Sequence, residues 1–167
     1  MSAIVNYGSN ANQSVVTDHT IDVLTDILNE AGLNSCLITS TSRTPDDQAR
    51  AMYNNIEATG AAAQKALYAS PGDAVINVYV TEKARGKTAT EIKAAMRAKI
   101  VALGPSRVSR HCGDPKKLNV IDVAPSSIAD KPSFEDAIEA AKSNGKIRQY
   151  FMPRDGDPAY HLEIPQP

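Results

Sequence analysis

Two histidines and one aspartate are the residues of this chain whose types and spacing could do chemistry. His111 lies in a polar loop, Asp122 lies eleven positions later inside the strand-like segment 119–124, and His161 lies in the strand-like segment 160–164. A carboxylate in the middle of a strand is costly to bury unless it has a partner. Two imidazoles and one carboxylate are a ligand set for catalytic zinc, which keeps an open position for water. The three residues together therefore predict a metal site.

Other residues that could hold a metal are weaker candidates. His19 stands at the start of a predicted helix among polar neighbours, where an exposed or capping histidine is the simpler interpretation. Cys112 could be a soft ligand, but it directly follows His111, and neighbouring side chains of an extended chain point in opposite directions. A single histidine is a weak signal, so the metal hypothesis depends on the combination of residues.

Composition and charge argue against several classes of protein. A chain of 167 residues most simply forms one domain with one core. The net charge of −1 gives no general affinity for polyanions, so nucleic-acid binding is not expected. Cys36 and Cys112 are too few for a disulfide framework and are predicted to be reduced thiols. No segment approaches the ~20 apolar residues of a membrane span, and residues 1–14 lack the basic and apolar regions of a secretory signal.

Hydrophobic periodicity predicts strands that carry the candidate ligands, separated by helices. Residues 1–14 are polar and predict an irregular lead-in. The apolar spacing predicts helices from Asp18 to a stop at Gly32, from the Thr44-Pro45 start, over 90–103 and from Ser133, and strands over 35–41, 119–124, 147–152 and 160–164.

The central segment 60–105 matches no motif of its own and is predicted to be mainly helical. Residues 60–69 are rich in alanine and predict a helix, and residues 70–73 (Ser-Pro-Gly-Asp) predict a turn. Residues 74–80 are β-branched, and periodicity does not choose between strand and helix there. The segment could form a helical lobe beside a substrate groove or simply extend the core.

Three motifs in order resemble those of the zinc D,D-peptidase-like family. Residues 109–111 (Ser-Arg-His), followed by residues 120–125, resemble the family signature Ser-x-His-x-x-Gly-x-Ala-x-Asp. Residues 160–164 are similar to the closing strand, in which glutamate follows the histidine by two positions. Residues 39–48 are similar to the first motif, a strand that ends in Arg-Thr and enters a helix containing glutamine. The family includes D-Ala-D-Ala carboxypeptidases and dipeptidases, and the L-alanyl-D-glutamate endopeptidases that serve phages as endolysins.

The resemblance implies one Zn²⁺ held by His111, Asp122 and His161. It implies that Arg43 binds a substrate carboxylate or stabilises the oxyanion of the tetrahedral intermediate, whereas without it Arg43 is a surface arginine before a helix. Ser109 is expected to bind the substrate or to brace the loop of His111.

Two further side chains are expected to support this site. Gln48 is predicted to tie its helix to the site. Glu163 shares a strand face with His161 and is predicted to orient that ligand.

The spacing between the first two ligands departs from the family pattern. The family places its aspartate seven positions after the first histidine, whereas Asp122 follows His111 by eleven. The residues around 114–117 look like a loop insertion, which a loop can absorb without moving either ligand. Asp114 is nearer in sequence, but it lies in a predicted turn, so Asp122 is the preferred ligand.

The general base is the second departure. The family carries an acid three residues before its last histidine, and that position is Pro158 here. Asp157 is the nearest replacement, with Asp155 and Glu163 as alternatives. The competing interpretation is that Asp155 and Asp157 are only turn residues.

The resemblance implies an α+β fold, hedgehog/D,D-peptidase-like, with a small antiparallel sheet carrying the ligands and helices packed on its other face. A single catalytic domain is expected over 1–167. The function implied is a zinc-dependent peptidase that hydrolyses peptidoglycan stem peptides, as in a phage or prophage endolysin of the L-alanyl-D-glutamate type. We expect a monomer made in the host bacterial cytoplasm that acts at the cell wall after release, with peptidoglycan peptide as its partner and no membrane insertion.

Three alternatives remain open at this point. The first is a D-Ala-D-Ala carboxypeptidase or dipeptidase, which Arg43 suits equally. The second is a non-catalytic phage structural or wall-binding module of the same fold, which Pro158 favours. In the third, the fold is unrelated to these peptidases and the three motifs are coincidental.

Overall fold

The computed structural model describes residues 2–167, and within them seven helices and one five-stranded mixed sheet form an α+β fold, as predicted. The helices are α1 (Asp18–Glu30), α2 (Pro45–Thr59), α3 (Ala61–Lys65), α4 (Ser70–Ala84), α5 (Ala89–Leu103), α6 (Pro105–Val108) and α7 (Lys131–Ser143). The strands are β1 (Ile4–Tyr7), β2 (Ser35–Ser40), β3 (Leu118–Val123), β4 (Gln149–Phe151) and β5 (Tyr160–Pro165). Within residues 2–167, no helix combines the length and the apolar character that crossing a bilayer requires.

The chain divides into two compact units. The first unit contains the chain up to Ser42 and then Asp114–Pro167, and the second contains Arg43–Gly113. The first unit holds the whole sheet with α1 and α7, and the second holds α2 to α6. The predicted single catalytic domain stays a prediction.

The sheet of the first unit has the strand order β1-β2-β3-β5-β4. β1 runs parallel to β2, while the β2–β3, β3–β5 and β5–β4 pairs are antiparallel. The prediction of an antiparallel sheet is therefore wrong for its first strand pair. The central pair, β3 with β5, carries two of the predicted ligands.

β1 also corrects the prediction of an irregular lead-in over residues 1–14, of which Met1 lies outside the described residues. Ile4–Tyr7 pair in register with residues 35–38 of β2. Val5 and Tyr7 pack against the core, and Ile4 stays exposed. Four alternating residues are too few to predict a strand from sequence. The pairing with β2 stabilises β1 at the edge of the sheet.

The core of the first unit lies between one face of the sheet and the helices α1 and α7. Ile121 and Val123 of β3 belong to this core, and Asp122 between them points to the opposite face, as strand alternation predicts. α1 and α7 contribute apolar side chains to the same cluster, which includes Leu24, Ile27, Phe134 and Ile138. The face of the sheet away from the helices therefore carries the polar residues of the site.

The second unit has a core of its own between the helices α2, α4 and α5. Its buried side chains are Ala49, Met52, Ile56, Val75, Ile76, Tyr79, Ile92, Met96, Ile100 and Val108. Thr44 and Thr88 begin α2 and α5 with reciprocal capping boxes, which satisfy backbone N–H groups of the first turn. The predicted helices at Thr44-Pro45 and over 90–103 are both present.

The predicted turn at residues 70–73 is instead the first turn of α4. Pro71 lies in that first turn, where its missing N–H is not needed for a helical hydrogen bond. The first turn of α4 packs directly against Tyr68 at Gly72. A Cβ at this position would be only 2.5 Å from Cβ and Cδ1 of Tyr68, so only glycine fits without displacing the tyrosine. Proline and glycine therefore mark a helix start and a close contact rather than a connection.

The rest of the central segment is helical. Residues 74–80, which periodicity left undecided, belong to α4, and Val75 and Ile76 are fully buried in the core of the second unit. The alanine-rich helix predicted over 60–69 is shorter and covers only Ala61–Lys65.

Candidate metal centre

Asp122 and His161 are direct partners in the register of β3 and β5. Nδ1 of His161 lies 3.0 Å from Oδ1 of Asp122. The imidazole is buried and the carboxylate keeps 20% of its side-chain surface exposed. Directly opposed residues of an antiparallel pair share one face, so the sheet itself brings the two side chains together.

Glu163 lies on the same face of β5, two positions beyond His161. Its Oε1 is 3.4 Å from Nε2 of His161. Its Oε2 forms an ion pair of 2.7 Å with Arg148, and the Glu163 side chain is almost completely buried. Each oxygen of this carboxylate therefore has a partner, which suits the predicted role of orienting His161.

The electrostatics around His161 favour a positive charge. Burial of the imidazole lowers its pKa, but the hydrogen bonds and negative charges of Asp122 and Glu163 outweigh burial, and the pKa of His161 is raised. The same two carboxylates would stabilise a metal cation beside the ring.

The donor chemistry at His161 fits a metal ligand. Both ring nitrogens face carboxylate oxygens, but a neutral imidazole has only one N–H to donate. If Nε2–H donates to Glu163, the lone pair of Nδ1 faces an acceptor oxygen of Asp122. In this tautomer His161 and Asp122 would each offer an acceptor atom to a bound cation.

His111 completes the predicted set. One ligand atom from each of His111, Asp122 and His161 lies within 4.8 Å of the other two. Two imidazole nitrogens and one carboxylate oxygen are the donor types that a zinc ion takes from protein side chains. The cluster predicted from the sequence is present and could bind a metal ion.

The loop of His111 is fixed by hydrogen bonds within the second unit. The backbone N–H of His111 donates to Oγ of Ser109 at 3.3 Å. The carbonyl of His111 accepts from the backbone N–H of Arg43 at 2.6 Å. Two roles were predicted for Ser109. Its hydrogen bond to the backbone of His111 supports the role of bracing this loop, and substrate binding stays a prediction.

Arg43 and Gln48 are also in contact. Nη1 of Arg43 donates to Oε1 of Gln48 at 3.1 Å, and Gln48 is fully buried in α2. The motif that contains both residues therefore forms one connected turn, which is attached through Arg43 to the carbonyl of His111.

The acidic candidates for the general base lie in the loop before β5. Oδ1 of Asp157 accepts from the backbone N–H of Ala159 at 2.9 Å, which is the local bond of an aspartate turn. Asp155 is exposed at the end of a short 3-10 turn over Pro153–Asp155. The cluster of possible ligands within residues 2–167 contains neither aspartate, so a catalytic role for Asp157 stays a prediction.

The three alternative ligands also lie outside that cluster. The thiol of Cys112 faces Oε1 of Gln48 at 3.7 Å, and burial raises its pKa to about 11. Asp114 is exposed and accepts from the backbone N–H of Lys116. His19 is half-buried in the first turn of α1.

Two residues that contact residues of the predicted site were not predicted from the sequence. Arg148 pairs with Glu163, and Tyr68 accepts a hydrogen bond from Nε2 of Gln48 at 3.3 Å. Neither lies in a motif, and both contacts depend on tertiary packing.

Comparison of the chain with family models, with curated proteins and with solved structures gave no match. Membership of the zinc D,D-peptidase-like family therefore stays a prediction from the three sequence motifs.

Proposed function

We propose that this protein is a zinc-dependent peptidase that hydrolyses peptidoglycan stem peptides, of the L-alanyl-D-glutamate endopeptidase type found in phage and prophage endolysins. The observation that carries this proposal is the grouping of His111, Asp122 and His161 within 4.8 Å. The order of the three motifs supports the choice of peptidase class.

The ligand set supports zinc in particular. Two imidazoles and one carboxylate suit Zn²⁺ better than Mg²⁺ or Ca²⁺, which prefer oxygen ligands. His111, Asp122 and His161 would hold the zinc and leave a position open, and the ion would there polarise a carbonyl and lower the pKa of a water molecule to about 7. One Zn²⁺ per chain is therefore the proposed cofactor.

Asp157 is the proposed general base. It would take a proton from the attacking water and return it to the leaving amine. Asp155 is the nearest alternative. Glu163 is less suited to this role, because its two oxygens already face His161 and Arg148.

Arg43 and Ser109 are the proposed substrate-binding residues. The backbone of Arg43 is bound to the carbonyl of His111, so its guanidinium starts from a fixed point next to the ligand loop. A guanidinium can bind a substrate carboxylate with two hydrogen bonds or stabilise a developing oxyanion. Ser109, which braces the same loop, offers a hydroxyl to the substrate.

Two other functions use the same residues. A D-Ala-D-Ala carboxypeptidase or dipeptidase would employ the same zinc site, and Arg43 suits its carboxylate-bearing substrate. A non-catalytic wall-binding or virion module would keep the fold and the metal, and Pro158 at the family's acid position favours it. As an endolysin, the protein would act as a monomer at the cell wall after release from the host cytoplasm.

One experiment separates these functions. The metal content of the purified protein is measured by elemental analysis, and the protein is then incubated with purified peptidoglycan with and without a chelator. New amino termini that stop appearing with the chelator support the peptidase. One equivalent of zinc without release favours the binding module, and a protein without metal contradicts the proposal. The identity of the new amino terminus distinguishes cleavage at L-Ala–D-Glu from cleavage at D-Ala.

A further inference from the structure

Tyr68 connects the central helical segment to the residues of the first motif. It lies between α3 and α4, in the stretch for which the sequence motifs assign no role. Its hydroxyl oxygen accepts a hydrogen bond of 3.3 Å from Nε2 of Gln48, whose side chain is fully buried.

The orientation of the Gln48 amide follows from its partners. Nη1 of Arg43 donates to one end of the amide at 3.1 Å, and a guanidinium has no acceptor, so that end must be the carbonyl oxygen. The amide nitrogen therefore faces Tyr68. Gln48 thus holds Arg43 at one end and Tyr68 at the other.

The hydroxyl of Tyr68 keeps a proton to donate. Its oxygen accepts from Gln48, and within residues 2–167 no acceptor is described for its own hydrogen. Burial raises the pKa of Tyr68 in spite of the nearby Arg43, so the hydroxyl stays protonated at neutral pH. A cationic guanidinium and a neutral O–H donor, spaced by one amide, are complementary to a carboxylate.

We propose that Arg43 and Tyr68 form a carboxylate-binding subsite, with Gln48 fixing the distance between the two donors. This inference rests on the proposed function and deepens it, because a peptidoglycan stem peptide carries free carboxylates next to its scissile bonds. Tyr68 is a specificity-determining residue of this subsite, and presenting it is the role of the helical segment that carries it.

Gly72 supports the position of Tyr68. The first turn of α4 packs against the tyrosine so closely that a Cβ at Gly72 would lie 2.5 Å from Cβ and Cδ1 of Tyr68. A methyl group there must displace the aromatic ring. Gly72→Ala therefore moves the hydroxyl without removing it.

The test measures binding of two small probes to the 167-residue protein with equimolar zinc. The probes are γ-D-glutamyl-L-lysine and the same dipeptide with its glutamyl α-carboxylate converted to an amide, and neither contains an alanyl–glutamyl bond. Calorimetry should give about tenfold tighter binding of the acid than of the amide, because only the acid makes charge-assisted bonds. Tyr68→Phe should lower the ratio of acid affinity to amide affinity by about threefold or more. Arg43→Gln should bring this ratio close to one.

The ratio of the two affinities separates recognition from a structural effect. A variant that merely loosens the fold weakens both probes alike and leaves the ratio unchanged. Gly72→Ala should lower the ratio although it keeps the hydroxyl. Tyr53→Phe, at another half-buried tyrosine of the same unit, should leave the ratio at the wild-type value.

Two results would overturn the subsite: a wild-type protein that binds acid and amide equally, or a Tyr68→Phe variant that keeps the full preference. The proposed peptidase activity is judged separately by chelator-sensitive release of amino termini from peptidoglycan. A protein that hydrolyses peptidoglycan without preferring the acid probe disproves the subsite alone. A protein that prefers the acid but releases nothing disproves the peptidase alone.

Discussion

Nδ1 of His161 faces Oδ1 of Asp122 at 3.0 Å across two paired antiparallel strands. The register that opposes the two residues also places their apolar neighbours, Ile121 and Leu162, opposite one another in the core. If β5 slipped by one residue, His161 would turn toward the core and Leu162 away from it, so core packing enforces the register. The packing that fixes the register of β3 and β5 therefore also fixes the relative position of these two candidate ligands.

We expect His161→Ala to abolish metal binding, because it removes one of three protein ligands. Elemental analysis after dialysis should show metal falling from about one equivalent to background. His19→Ala is the matched control, since that histidine lies outside the cluster, and it should keep its metal. Circular dichroism checks that the variant folds. A folded His161→Ala protein that retains one equivalent contradicts the predicted ligand set.

Asp157→Asn should keep the metal and lower the rate of peptidoglycan hydrolysis by about 10²–10⁴-fold, the usual contribution of a general base. The amide preserves the size of the side chain and its acceptor oxygen for Ala159, so the turn should survive. Release of amino termini is measured at equal metal content. Asp155→Asn is the matched variant in the same loop, and it should keep its activity if Asp157 rather than Asp155 is the base. Full activity in Asp157→Asn would make Asp155 or Glu163 the base to test.

Glu163→Gln should weaken metal affinity by about 10–100-fold without abolishing binding, the typical effect of removing a residue that orients a ligand. The neutral amide keeps the shape of the side chain but loses the negative charge beside Nε2 of His161. Competition with a chelating dye measures the affinity. Arg148→Ala leaves the carboxylate in place and should have a smaller effect. Equal affinities for wild type and Glu163→Gln would show that Glu163 does not support the metal.

Both cysteines should resist alkylation in the folded protein. Burial raises the pKa of Cys36 to about 12 and that of Cys112 to about 11, so at pH 8 both thiols are protonated and unreactive. Alkylation by iodoacetamide, followed by mass spectrometry, should be about 100-fold or more slower in the native protein than in urea. Raising the pH toward 11 should speed the reaction of Cys112 first. Fast labelling of native Cys112 at pH 8 would show that its loop opens.

The facing of Asp122 and His161 could be predicted because strand alternation is a local property of the sequence. Asp122 lies between two apolar residues of β3, and this alternation predicts that it faces away from the core. The same period of two predicts that His161 and Glu163 share a face, and their side chains are in contact. The alternation of apolar and polar residues thus predicted both the strands and the sheet face on which these side chains lie.

The features that sequence reasoning missed depend on contacts between distant residues. β1 forms because β2 offers it a partner, and its own four residues carry too little pattern. The turn predicted at residues 70–73 is helical, and Gly72 is explained by its packing against Tyr68 rather than by turn geometry. The hydrogen bond between Gln48 and Tyr68 joins α2 to the turn between α3 and α4, 20 positions further along the chain. Composition and periodicity contain no signal for such pairings.

The connection between β2 and β3 has a consequence for the order of folding. These strands are neighbours in the sheet, yet Arg43–Gly113, the whole second unit, lies between them in the chain. Helices with local contacts form quickly, whereas pairing that closes a long loop is slow. We therefore expect the helical unit to be structured before Ser40 pairs with Asp122. On the ribosome, the candidate metal centre can assemble only after β5 has emerged, so the nascent chain could bind a metal there only once synthesis has passed His161.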